Sequence, residues 1–261
     1  MKNRTFYLYF FVVLLFECCA QSTDKIIKKP LTNSFTVELT VPNLQNPWGM
    51  VFLQDNSILV SEKVGKLIHF KNGKQYEIQG LPPILVRGQG GLLDLELHPD
   101  FKQNGWIYLS YSSSDGEGRG GNTAIMRAKL KEGQLVDKEV LYKGTPNTNK
   151  GQHWGSRLEF DNQGYLYFTI GDRGNRDANP QDIKRDGGKV YRIHDDGRIP
   201  KDNPFVGVSK AKEAIFSYGH RNLQGLTKHP KTGALWSQER QKLRLAGNHI
   251  RYKLYRHKNH G

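Results

Sequence analysis

The sequence predicts an all-β fold, a β-propeller, on three observations. From about residue 34, short runs rich in β-branched and aromatic residues are bounded by Gly, Asn, Asp and Pro: SFTVELTV, SILVSE, LIHFKNG, WIYLSYS, YLYFTIGD and ALWSQE. Each reads as a strand. No long helical period occurs, and only SKAKEAIFSYG (209–219) predicts a turn of helix. One phrase recurs: a Gly or small residue, an apolar stretch, a polar turn, then an aromatic-rich strand. In order it is WGMVFLQDNSILVSE from Trp48, GLLDLELHPDFKQNGWIYLSYS from Gly91, GSRLEFDNQGYLYFTIGD from Gly155 and GLTKHPKTGALWSQE from Gly225. Each is a hairpin, and a hairpin used four times points to repeated blades. Their spacing is uneven, so large loops separate them. A β-sandwich is the alternative, but it does not need the same phrase four times.

The two ends of the chain read differently. In residues 1–20, Lys2 and Arg4 precede the apolar run TFYLYFFVVLLF and then Cys18-Cys19-Ala20. A charged start, a short apolar stretch and small residues at a cleavage point form a secretory signal. The rival, a membrane anchor, needs a longer span. The expectation is an exported chain, periplasmic or secreted, with no integral span once cleaved. Lipid attachment at Cys19 is the minority alternative. Both cysteines lie in this segment, so a chain cut after Ala20 has no disulfide and no thiolate metal site. The formal charge is +14, but residues 240–261 hold seven Lys/Arg and no acid, and the signal adds a net +1. The remaining +6 on residues 21–239 is a moderate surface charge and argues against nucleic-acid binding.

Loops on a rigid scaffold are where function is usually placed, so the segments leading into the hairpins, VRGQ, KGQHWGSR and YGHRNLQ, are the ones to inspect. His153 stands at the entrance of the third hairpin and Asp172 at its exit, within Gly171-Asp172-Arg173-Gly174. Entrance and exit of one hairpin can share an edge, so the two are expected to meet. Taken singly, each residue has an ordinary reading. His153 is a loop histidine, Asp172 a turn residue bonding its own backbone, Arg221 a surface charge and Gln89 a polar residue of a Gly-rich turn. Asp177, in GNRDANPQD, is a loop carboxylate or a sugar contact.

Four blocks, RGQGGLLDLELHPDF, GQHWGSRLEFDNQGYLYFTIGDRGNRD, GGKVYRIHDDGRIPKDNPF and SYGHRNLQGL, occur in one order. Together they resemble the soluble aldose dehydrogenases that depend on pyrroloquinoline quinone (PQQ), the glucose/sorbosone dehydrogenase family. The likeness runs from about Asn46 to Glu239. It implies a six-bladed propeller, of which this chain covers roughly the first four blades. It also implies oxidation of an aldose at C1 to the lactone, with electrons passing to an external acceptor. By the same resemblance His153 is the general base and Asp172 orients it, while Arg221 and Asn222 hold the cofactor, with Arg221 stabilising its reduced form. Gln89 and Asp177 then hold the sugar. The chemistry agrees with these roles. A hemiacetal carbon gives up hydride readily only as its hydroxyl proton leaves, and histidine titrates near neutral pH. A carboxylate on the other ring nitrogen fixes the tautomer, and a fixed guanidinium stabilises developing negative charge.

The resemblance ends after Glu239, where WSQE runs into the basic stretch 240–261. That stretch reads as a tail unlike the family, or as out-of-frame translation. The family's calcium ligands, and the Lys and Arg that grip the quinone carboxylates, would lie beyond this point. The expectation is therefore a chain that is inactive and unstable by itself. DDGRIPKDNPF lacks the full calcium-loop pattern, and His249, His257 and His260 resemble a metal tract only loosely, so neither reads as a metal site. The alternatives are a non-enzymatic propeller that binds carbohydrate or protein, and a metal-dependent lactonase. A binding module has no use for a base beside an arginine, and the hairpin-leading loops lack the converging carboxylates of a lactonase.

Overall fold

The structure, a computed structural model, describes residues 36–242 and 248–255, with the backbone alone from residue 240 on. The signal segment, Cys18, Cys19, His257 and His260 lie outside the described residues. Residues 36–40 belong to a unit separate from the body that begins at Val41.

The body is made of antiparallel sheets, each a meander in chain order. The first has β1 (Pro47–Phe52), β2 (Ile58–Glu62), β3 (Lys66–Lys71) and β4 (Lys74–Ile78). The second has β5 (Leu92–Leu97), β6 (Trp106–Ser113), β7 (Asn122–Lys131) and β8 (Gln134–Lys143), with a single helical turn, α1 (Phe101–Asn104), between β5 and β6. The third has β9 (Leu158–Phe160), β10 (Leu166–Ile170), β11 (Lys189–Ile193) and β12 (Ile215–Tyr218). The fourth has β13 (Leu223–Lys228), β14 (Leu235–Lys242) and β15 (Asn248–Tyr255). Each recurrent phrase of the sequence is the first hairpin of one sheet.

Sheets stack face to face in chain order, and each interface is its own core. Leu59, Leu67 and Ile78 meet Leu92, Leu95 and Ile107 between the first and second sheets. Tyr108 and Ile125 meet Phe160, Leu166, Phe168 and Tyr191 between the second and third. Tyr167 and Val190 meet Leu223, Leu226 and Leu235 between the third and fourth. Burial of one such side chain contributes roughly 1.5–3 kcal/mol. A sheet covered on both faces buries every residue of its middle strands, as β10 and β11 of the third sheet do. This is why LYFTI reads as a continuous apolar run rather than an alternation.

The first strands of consecutive sheets lie side by side, β1 by β5, β5 by β9 and β9 by β13. They wall a cleft of about 530 Å³ lined by Trp48, Asp94, Glu96, Arg157 and Glu159 among others. This arrangement is propeller-like. No helix among the described residues is long and apolar enough to cross a membrane.

Two expectations fail. SKAKEAIFSYG is not helical: its Ala211 and Ile215 N–H groups close turns, and Ile215–Tyr218 is strand β12. Ile215, wholly buried in the second interface, decides this, because tertiary packing outweighs a weak helical preference. SFTVELTV is not a strand over its described part, residues 36–41. Val37 and Leu39 are exposed there, and alternation makes a strand only where a neighbouring edge accepts its hydrogen bonds.

Candidate active site

The loop before β9 runs against the end of β10 because two glycines permit it. A Cβ on Gly155 would stand 2.7 Å from the Gly171 nitrogen, and one on Gly171 would strike the His153 carbonyl oxygen. With neither side chain present, the backbones touch and the hairpin's entrance and exit close on each other. His153 itself has φ +57°, a left-handed conformation uncommon for a residue with a Cβ.

There His153 Nδ1 lies 2.7 Å from Asp172 Oδ1. A carboxylate only accepts, so Nδ1 donates, and in the neutral ring the lone pair falls on Nε2. The His153 side chain keeps 14% of its exposure, whereas that of Asp172 keeps none. Asp172 Oδ1 also accepts the Gly174 N–H at 2.7 Å, the turn bond expected of an aspartate, and its Oδ2 is buried without a hydrogen bond. The turn role and the histidine contact therefore coexist on one oxygen.

Neighbouring loops complete the arrangement. Gln89 Oε1 accepts the His153 backbone N–H at 2.8 Å, and the Gln89 N–H donates to the Gly151 carbonyl at 2.8 Å. The Arg221 carbonyl accepts the Asp172 N–H at 2.7 Å. Asn222 Oδ1 accepts the Gly155 N–H and the Gln224 side-chain amide, each at 3.1 Å. Three of the six expected site residues, Asp172, Gln89 and Asn222, thus bond the His153 segment, and Arg221 bonds Asp172. Asp177 is the one set apart: its side chain is 89% exposed and, among the described residues, pairs only with the neighbouring Arg176, at 3.2 Å.

A cleft of about 200 Å³ opens beside Asp172, lined by Arg176, Pro180, Gln181, Gly219, His220 and Arg221. Two guanidinium groups and an amide suit a flat, carboxylated ligand. Among the described residues, no group of three His, Cys, Asp or Glu could hold a metal ion.

Residues 44–242 match the Glucose / Sorbosone dehydrogenase family. The chain belongs to this family. Aldose sugar dehydrogenase YliI of Escherichia coli K12 is 39% identical over 208 residues, covering 78% of this chain and 56% of that one. The solved apo-form of the soluble E. coli aldose sugar dehydrogenase matches with a TM-score of 0.74 at 38% identity, over 79% of this chain and 60% of that one. The solved PQQ-bound aldose sugar dehydrogenase of Streptomyces coelicolor matches with a TM-score of 0.65 at 31% identity, over 76% and 57%. The chain thus spans a little over half the length of these dehydrogenases.

Sequence reasoning missed a second histidine–carboxylate pair, His220–Glu239, and the buried Arg173. The first could have been found from the shared spacing: in both pairs the acid follows the histidine by 19 residues, once around the same hairpin phrase. The second had no signal, since an arginine in a Gly-Asp-Arg-Gly turn reads as solvated.

Proposed function

We propose that this chain carries the base and the cofactor-facing arginines of a PQQ-dependent aldose dehydrogenase that oxidises C1 to the lactone. The carrying observation is the 2.7 Å bond from His153 to Asp172 beside an arginine-lined cleft. His153 Nε2 takes the C1 hydroxyl proton as the C1 hydrogen departs with its electron pair. Asp172 holds Nδ1–H and stabilises the imidazolium that forms. Arg221 and Arg176 would hold the anionic cofactor, with Asn222 beside them, and the Arg221 guanidinium would stabilise negative charge there. When bound, the quinone supplies the two-electron acceptor, and an external acceptor reoxidises it. Gln89 and Asp177 are the proposed sugar contacts, although Gln89 spends its oxygen on the His153 backbone. Calcium, whose family ligands are expected beyond Glu239, takes part in no step of this reading. The six-bladed ring, the boundary at Glu239 and export of the chain belong to the same reading.

The test is single-turnover reduction of PQQ, followed by its absorbance after an aldose is added to chain and cofactor. Bound quinone that glucose or another aldose reduces in wild type, but not in His153→Ala, supports the reading. Bound quinone that no aldose reduces refutes it for this chain.

A further inference from the structure

We infer that Arg173 is a positioning residue for His153: its buried guanidinium is the post around which the segment carrying the base is wound. This rests on reading His153 as the base. Arg173 has no exposed surface. Its Nη1 donates to the Gln152 carbonyl, and its Nη2 donates to the carbonyls of Lys150, at 2.8 Å, and Gly121, at 3.4 Å. The guanidinium carbon stands 3.3 Å from the centroid of the Trp154 ring, a close cation–π contact. The Arg173 backbone N–H points at the His153 carbonyl, 3.4 Å away. Residues on both sides of His153 are thus fixed to one side chain, while the residue just before Arg173, Asp172, holds the imidazole.

The cost of this arrangement argues for a purpose. Among the described residues no carboxylate bonds to the guanidinium, and its Nε has no partner. Burial pushes its pKa down to about 9, with Asp172 pulling the other way, so the cation persists at neutral pH but is poorly compensated. A fold that needed only filled space would do as well with an apolar side chain, since replacing poorly paired buried charge by hydrocarbon is often neutral. What hydrocarbon cannot do is hold the Lys150 and Gln152 carbonyls that lead into a residue at φ +57°. Directional donors can, and a base displaced by about 1 Å loses much of its rate.

The experiment compares wild type with Arg173→Met and Arg173→Lys by long-range ¹H–¹⁵N spectra of the histidine side chains, with His153 assigned through His153→Gln. Wild type should show His153 protonated on Nδ1 with a downfield, slowly exchanging proton. In Arg173→Met that signal should broaden or change tautomer while the other eight histidines keep their shifts. Arg173→Lys, which keeps the cation and one carbonyl bond, should restore it in part. Single-turnover quinone reduction should fall about tenfold or more in Arg173→Met at unchanged cofactor affinity. An unchanged His153 signal in folded Arg173→Met overturns the inference. So does collapse of all nine histidine signals in both variants, which would make Arg173 a general core residue. If wild type reduces no quinone but its His153 signal follows Arg173, the functional reading falls and the positioning role stands.

Discussion

The third and fourth sheets carry the same device and put it to different uses. In each, a histidine before the first hairpin meets a carboxylate 19 residues later, at its end. His220 is 2% exposed; its Nδ1 lies 3.3 Å from Glu239 Oε1 and its Nε2 lies 2.9 Å from Ser217 Oγ. Both ring nitrogens are engaged, and Glu239 Oε2 accepts the Arg221 N–H at 2.7 Å. His153 has one nitrogen on Asp172, a partially exposed ring, and, among the described residues, no bond at Nε2. A saturated histidine braces the loop; one with a free lone pair can accept a proton. The motif marks a place in the sheet, and the second nitrogen sets what it can do.

Breaking the third-sheet pair should have the largest effect on turnover. His153→Ala is expected to slow aldose-driven quinone reduction by on the order of 10⁴, while changing urea-unfolding stability by less than about 1 kcal/mol. Asp172→Asn should cost on the order of 10²–10³ by offering Nδ1 a donor and reversing the tautomer. The His153 ¹⁵N shifts would reveal the reversal directly.

The fourth-sheet pair should fail in stability instead. Burial raises the Glu239 pKa, but hydrogen bonds from His220 and from the Arg221 and Asn222 N–H groups outweigh this and hold it below its usual value. A carboxyl lowered by folding stabilises the native state above its unfolded pKa, and that contribution is lost as pH falls through the lower folded value. Glu239→Gln should therefore cost about 2 kcal/mol at pH 7 and flatten the loss of stability on acidification below about pH 4.5. Urea titrations from pH 3 to 7 measure both. An equal rate loss in Glu239→Gln and Asp172→Asn, at full stability, would erase the distinction between the pairs.

The smallest effect sharpens the contrast. Gln89→Ala removes one bond to the His153 backbone, and a loss of about 1 kcal/mol corresponds to a fall in rate of about fivefold. A rise in aldose KM as well would support the sugar contact proposed for Gln89.

Much of this was legible in the sequence. The four hairpin phrases appear as the opening hairpins of successive sheets, because a strand buried on both faces needs an unbroken apolar run and a turn needs Asn, Asp or Gly. The meeting of His153 with Asp172 was legible too, since the ends of one hairpin share an edge. The failures were cases where local pattern lacked its partner or was overruled. The described part of SFTVELTV alternates but forms no strand, and the Ile215 segment is drawn into a core that short-range periodicity does not describe.

By itself the sequence determined the repeated hairpin, the residue types at its ends and the family those residues mark. Only the tertiary structure decided which histidine keeps a nitrogen unbonded among the described residues, that Gln89 and Asn222 brace the His153 loop from neighbouring sheets, and that Arg173 lies beneath that loop rather than in water. The physical reason is range. Strand and turn preferences act between residues near in the chain, whereas burial and hydrogen-bond saturation depend on which sheets stack against each other.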